Sequence, residues 1–101
     1  MTLLTESTYQ SSVSKGVSLV DIYADWCNPC RQISPIVEEL ANEATDYSVY
    51  KMDADTNPNI MKSMNVRSIP TILVYKDGVV VDRHVGMANK DQLNTLAKKY
   101  L

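Results

Sequence analysis

The chain has only two cysteines, Cys27 and Cys30, and two residues, Asn28 and Pro29, separate them. Thiols at this spacing can form a disulfide or bind a metal, and in a reducing compartment such a pair is more often catalytic or metal-binding than structural. Two cysteines are too few for a disulfide-rich secreted scaffold. We therefore expect the function of the chain to centre on this pair.

The two thiols are not equivalent, because the pair lies where a predicted strand meets a predicted helix. The amides and the dipole at a helix N-terminus stabilise a thiolate, which is the nucleophilic form of cysteine. Cys27 stands at the start of this helix, and Cys30 lies one turn inside it. We therefore predict that Cys27 attacks and that the more buried Cys30 resolves.

Two other uses of the pair stay open from the residues alone. A tetrahedral zinc site needs four ligands, and the only histidine, His84, falls in a predicted strand, so we expect no metal within one chain. Two chains sharing their thiolates could still carry a metal or an iron-sulfur cluster. Alternatively, the chain is a binding module that holds a partner whatever its redox state.

The elements that position the cysteines follow from apolar periodicity and turn residues. The 101 residues fit a single domain spanning 1-101. Helices are predicted over 5-14, over 28-44 with Pro35 inside, after Asn57-Pro58, and after Asn89; strands are predicted over 17-24, 47-53, 71-76 and 79-85. In the first helix, Thr5 is the expected cap and Leu4 packs on Tyr9 and Val13.

The order of these elements predicts an α/β fold. The nearly continuous apolar run over 17-24 is typical of a central strand covered on both faces. A helix separates it from the strand over 47-53, so these two strands are parallel. Asp77-Gly78 predicts a two-residue hairpin turn, and Asn89 with Gln92 predicts a capping box.

Charge and hydropathy exclude several partners. The net charge is -2 with no basic stripe, so nucleic acid is not expected as a partner. No apolar stretch approaches the roughly 20 residues of a membrane span, and the first residues lack the pattern of an export signal. We expect a cytoplasmic monomer with no membrane association.

The motif Trp26-Cys27-Asn28-Pro29-Cys30 resembles the thioredoxin family, whose typical motif is Trp-Cys-Gly-Pro-Cys. Further features recur in the family's order along nearly the whole chain: Asp21, Pro35, Lys51, Ile69-Pro70-Thr71 and Gly86. The resemblance implies a central mixed sheet of four or five strands flanked by helices on both faces. Asn28 and Ser68 stand where glycine is usual in the family.

The resemblance also implies roles for residues around the pair. Leu19-Val20 and Ile22-Tyr23 flank Asp21 and predict its burial, which raises a carboxyl pKa. Resemblance assigns Asp21 to proton exchange with Cys30 through water, and places Lys51 near enough to tune it. Pro29 belongs to the active-site motif.

A docking surface for substrate is implied beside the cysteines. Sequence statistics alone favour a trans bond before Pro70, whereas the resemblance implies a cis bond. Ile69 then offers backbone hydrogen bonds to an extended substrate segment. Trp26, Gly86 and Met87 complete the expected apolar surface.

The implied activity is protein-disulfide reduction through a mixed disulfide. The chain is expected to bind no cofactor, since the redox group is the Cys27-Cys30 pair itself. Expected partners are protein disulfides as substrates and an NADPH-dependent flavoprotein thioredoxin reductase as electron donor.

Overall fold

The computed structural model describes residues 1–101 as a five-stranded mixed sheet with four helices. The elements are β1 (Thr2–Leu4), α1 (Tyr9–Ser12), β2 (Val17–Tyr23), α2 (Asn28–Glu43), β3 (Ser48–Asp53), α3 (Pro58–Ser63), β4 (Thr71–Lys76), β5 (Val79–Val85) and α4 (Lys90–Lys98). The strand order is β1-β3-β2-β4-β5. β1, β3 and β2 run parallel, and β4 and β5 complete the sheet in antiparallel pairings.

β2 is the central strand, as its continuous apolar run predicts. Its residues Val17 and Leu19 pack with α2 and α4 in one buried cluster. Val20 and Ile22 face the other way, into a second cluster with residues of α1 and α3. The expected mixed sheet with helices on both faces is confirmed. None of the four helices has the length and hydropathy that a membrane-spanning helix requires.

The predicted helix over 5-14 is wrong in its first half. Leu4 ends a short edge strand, β1, and pairs with Met52 of β3. The helix is confined to Tyr9–Ser12, its N-cap is Thr8, and the Thr5 carbonyl accepts hydrogen bonds in the preceding turn. Pairing with β3 satisfies the backbone of Thr2–Leu4, which a local capping pattern cannot reveal.

The remaining turn and cap predictions have mixed outcomes. The hairpin turn is confirmed by positive φ angles at Asp77 (51°) and Gly78 (88°), the signature of a type I′ turn. Asn89 and Gln92 form the predicted capping box of α4. Asn57 is the N-cap residue of α3, but its side chain makes no capping bond. It instead accepts from the Glu6 amide and donates to the Asp53 carbonyl.

Candidate active site

The cysteine pair lies where the chain leaves β2 and enters α2. Cys27 is the N-cap of α2 in an extended conformation, and the backbone amide of Cys30 donates to its Sγ over 3.3 Å. Asn28 and Pro29 are the first helical residues, and Pro29 suits this position because its missing amide has no helical partner to lose. Cys27 and Cys30 form a disulfide. The local geometry therefore directs a free helix-end amide at the sulfur of Cys27.

The two sulfurs differ less in burial than the sequence suggests. In this disulfide form Cys27 is 5% exposed and Cys30 is 2% exposed, so Cys30 is the more buried of the two, as expected, but only slightly. The Sγ of Cys27 lies 3.8 Å from the carbonyl oxygen of Ile69. Position at the helix end, rather than exposure, distinguishes the two residues.

Asp21 is a buried carboxyl in the middle of β2. It is 1% exposed, and neither carboxylate oxygen has a hydrogen-bond partner. Burial raises the pKa of Asp21 from 3.8 to about 7, and the positive charge of Lys51 opposes part of this increase. Lys51 lies opposite Asp21 in the β2-β3 register, and its Nζ lies 4.6 Å from the centre of the Tyr23 ring.

Asp21 and Cys30 line the same small cavity, which has a volume of about 120 Å³. Its lining residues are Asp21, Tyr23, Ala24, Asp25, Cys30, Arg31, Ser34 and Lys51. A polar cavity needs only about 10 to 15 Å³ to hold a water molecule. The space beside Asp21 and Cys30 is therefore sufficient for a chain of several waters.

The Ile69-Pro70 peptide bond is cis, in agreement with the family resemblance and against the general preference for trans. The amide of Gly86 donates to the Pro70 carbonyl over 2.9 Å and so holds the β5-α4 connection against this turn. Gly86 has a φ of +93° and no atom within 4 Å of the position that a Cβ would occupy. Backbone conformation, rather than crowding, therefore favours glycine here.

Trp26 projects from the cysteine loop and is 67% exposed. Its indole Nε1 donates to Oδ2 of Asp55 over 2.8 Å, which orients the ring. Trp26 and Ile69 line a groove of about 300 Å³ with six further residues: Ala54, Pro58, Met61, Val66, Arg67 and Ser68. The surface beside the cysteines is thus larger than the sequence indicates.

Sequence reasoning missed Asp55 and the residues of the groove that come from α3 and its flanks. A carboxylate following a strand has no distinctive local pattern, so only the three-dimensional arrangement identifies Asp55 as the partner of Trp26. No three His, Cys, Asp or Glu side chains come together in a group that could hold a metal ion.

Comparisons with known proteins give a consistent result. The family model described as Thioredoxin matches residues 1–99. Thioredoxin of Listeria monocytogenes is 39% identical over 99 residues, covering 97% of this chain and 96% of the relative. Thioredoxin of Staphylococcus saprophyticus is 40% identical over 99 residues, covering 97% of this chain and 95% of the relative.

Solved structures agree with the sequence matches. A mutant thioredoxin from Halobacterium salinarum superposes with a TM-score of 0.90 at 35% identity, covering 98% of this chain and 88% of that one. Plasmodium falciparum thioredoxin gives a TM-score of 0.90 at 34% identity, with 100% of both chains covered. Sequence and structure agree along almost the whole chain, so this protein belongs to the thioredoxin family and is a protein-disulfide oxidoreductase that works by dithiol-disulfide exchange.

Proposed function

We propose that the chain reduces protein disulfides, with Cys27 as the nucleophile and Cys30 as the resolving thiol. The Cys27 thiolate attacks one sulfur of a substrate disulfide, forms a mixed disulfide and displaces the other substrate sulfur as a thiolate. The position of Cys27 at the N-cap of α2, with the Cys30 amide directed at its sulfur, is the observation that carries this assignment. The same amide and the helix dipole stabilise the attacking thiolate.

Asp21 then assists the second step. It accepts the proton of the Cys30 thiol through water in the cavity, and the resulting thiolate attacks the Sγ of Cys27. The mixed disulfide breaks, the second substrate sulfur leaves as a thiolate that takes a proton, and the Cys27-Cys30 disulfide forms. Two electrons have passed from the chain to the substrate. A carboxyl with a pKa of about 7 exchanges protons readily at neutral pH, and Lys51 tunes it by stabilising the charged form.

Substrates dock as an extended segment against the turn that contains the cis bond. Ile69 lies beside Cys27, and its backbone pairs with the segment in the manner of a short β-strand. Trp26, Pro70, Gly86 and Met87 supply the surrounding surface. The exposure of Trp26 and Met87, at 67% and 46%, supports this role because large apolar side chains at a protein surface favour contact with a partner.

The oxidised chain requires an electron donor, and we assign this role to an NADPH-dependent flavoprotein thioredoxin reductase. Net reduction of substrates fits a reducing compartment such as the cytoplasm. The working unit is one domain over residues 1–101, acting as a monomer with no cofactor other than its own cysteine pair.

A coupled assay tests the proposal. The chain is mixed with NADPH, a thioredoxin reductase and insulin, and both NADPH consumption and insulin precipitation are followed. We expect turnover with the native chain and none with the Cys27→Ser variant, whose redox pair is incomplete. Failure of the native chain to reduce insulin, together with partner binding that survives the combined Cys27→Ser and Cys30→Ser replacement, would contradict the proposal and favour a redox-independent binding module.

A further inference from the structure

The only histidine of the chain lies next to the proposed docking surface, although the reaction does not use it. His84 is near the end of β5, and its Nε2 lies 2.8 Å from the backbone carbonyl oxygen of Met87. This is hydrogen-bond distance, and the ring donates when its proton is on Nε2. The imidazole therefore bridges the end of β5 and the loop that follows it.

This loop, Gly86–Ala88, connects β5 to α4 and is fixed at three points. The Gly86 amide donates to the Pro70 carbonyl, the Met87 carbonyl receives the His84 ring, and the Ala88 side chain is buried with residues of α2 and α4. The first and last points hold the two ends of the loop. The bond from His84 is the only one of the three that holds the carbonyl of Met87, the central residue of the loop, whose side chain is exposed.

We propose that His84 is a positioning residue that fixes the Met87 segment in the conformation that protein substrates meet. The inference rests on the proposed docking role of Gly86 and Met87. His84 does not line the cavity beside Asp21 and Cys30. We therefore expect that replacing His84 does not change the chemistry of the two thiols. His84 acts on the docking of a peptide segment. A flexible loop must become ordered when the segment binds, which lowers the affinity, whereas a loop that is already ordered does not have this cost.

Two kinds of substrate separate an effect on the docking of a peptide segment from an effect on the chemistry of the thiols. Insulin presents its disulfide within a peptide chain that must lie along the loop. The reagent 5,5′-dithiobis(2-nitrobenzoate) is a small disulfide without a peptide backbone, so it reports thiol chemistry without the docking of a segment. A positioning role therefore predicts a higher KM for insulin and an unchanged rate with the small reagent.

The experiment compares four variants in their reduced forms. His84→Ala removes the hydrogen bond, His84→Gln replaces it with an amide N–H of similar reach, and Met87→Asp perturbs the docking surface directly. Val79→Ala shortens an exposed side chain at the far end of β5 and serves as the matched control. Melting temperatures establish that each variant is folded, and ¹⁵N relaxation gives backbone order parameters for residues 86–88.

We expect His84→Ala to raise the insulin KM about threefold to tenfold, where tenfold corresponds to about 1.4 kcal/mol and is within the range of one hydrogen bond. The order parameters of the loop should fall, kcat should change little, and His84→Gln should restore both readouts. If Met87→Asp raises the insulin KM but His84→Ala changes neither KM nor the order parameters, the positioning role is refuted and the docking surface stands. If Met87→Asp leaves the insulin KM unchanged, the proposed role of Met87 in docking is refuted. This holds even if the order parameters of the loop fall in His84→Ala.

Discussion

Replacing Asp21 with asparagine should change the pH dependence of stability in a direction fixed by its burial. The folded chain holds the Asp21 proton up to a pKa of about 7, whereas the ordinary value of the exposed carboxyl is 3.8. Between these pH values the folded state binds more protons than the unfolded state, so the stability of the native chain falls as pH rises and levels off above about 7. An asparagine side chain does not titrate, so the stability of the Asp21→Asn variant should not show this decrease as pH rises.

The magnitude follows from the same two pKa values. Each pH unit in the interval from 3.8 to about 7 changes the free energy of unfolding by about 1.4 kcal/mol, giving about 4 kcal/mol in total. Water entering the cavity beside Asp21 solvates the carboxylate and reduces this figure, so we expect a gain of about 2 to 4 kcal/mol for the variant at pH 8. At pH 4 both side chains are neutral and the two proteins should have similar stability.

Urea unfolding of the oxidised proteins at pH 4, 6 and 8 measures this difference. Asp46→Asn, which neutralises an exposed carboxylate, is the matched control and should give a curve parallel to that of the native chain. In the reduced protein, insulin reduction by Asp21→Asn should slow by about tenfold to a hundredfold because the base is lost. Parallel stability curves for Asp21→Asn and the native chain would show that the carboxyl titrates as an exposed group and refute the reasoning.

Three further changes test other parts of the structure. Ser18→Ala removes a fully buried hydroxyl that has no hydrogen-bond partner, so the free energy of unfolding in urea should stay level or rise by about 1 kcal/mol; a clear loss would reveal a bond at Ser18. Asp55→Ala frees the Trp26 indole, so the fluorescence anisotropy of Trp26 should fall and the insulin KM rise; unchanged anisotropy would contradict the orienting role of Asp55. Asn28→Gly should lower the reduction potential by at most about 30 mV and raise the Cys27 pKa, because we expect the Asn28 side-chain amide to donate to the reduced Cys27 thiolate and stabilise the reduced form; a positive shift would exclude that bond.

The elements with strong local patterns were predictable from sequence. The apolar run of β2, the periodic apolar face of α2 and the Asp77-Gly78 turn each depend on residues close together in the chain. β1 was not predictable, because Thr2–Leu4 becomes a strand only by pairing with β3, which is distant in the chain. Asn57 had the right position for a cap, but its side chain bonds to Glu6 and Asp53 instead.

The same distinction applies to the site. Cys27 and Cys30 could be predicted to form a redox pair from their spacing and their position at the start of a helix. The cis bond before Pro70 followed from family resemblance alone, since the statistics of X-Pro bonds favour trans. The bonds from Trp26 to Asp55 and from His84 to Met87 depend on how loops fold back on the sheet, which no local pattern encodes.

Trapping of mixed disulfides tests most directly which cysteine attacks the substrate and which one resolves the mixed disulfide. The Cys30→Ser variant keeps the attacking thiol but lacks the resolving one, so incubation with protein disulfides should accumulate covalent complexes through Cys27 that dithiothreitol releases. The Cys27→Ser variant should accumulate almost none, and peptide mass spectrometry identifies the bonded cysteine in each case. Complexes that form through Cys30 in Cys27→Ser, with none in Cys30→Ser, would contradict the account.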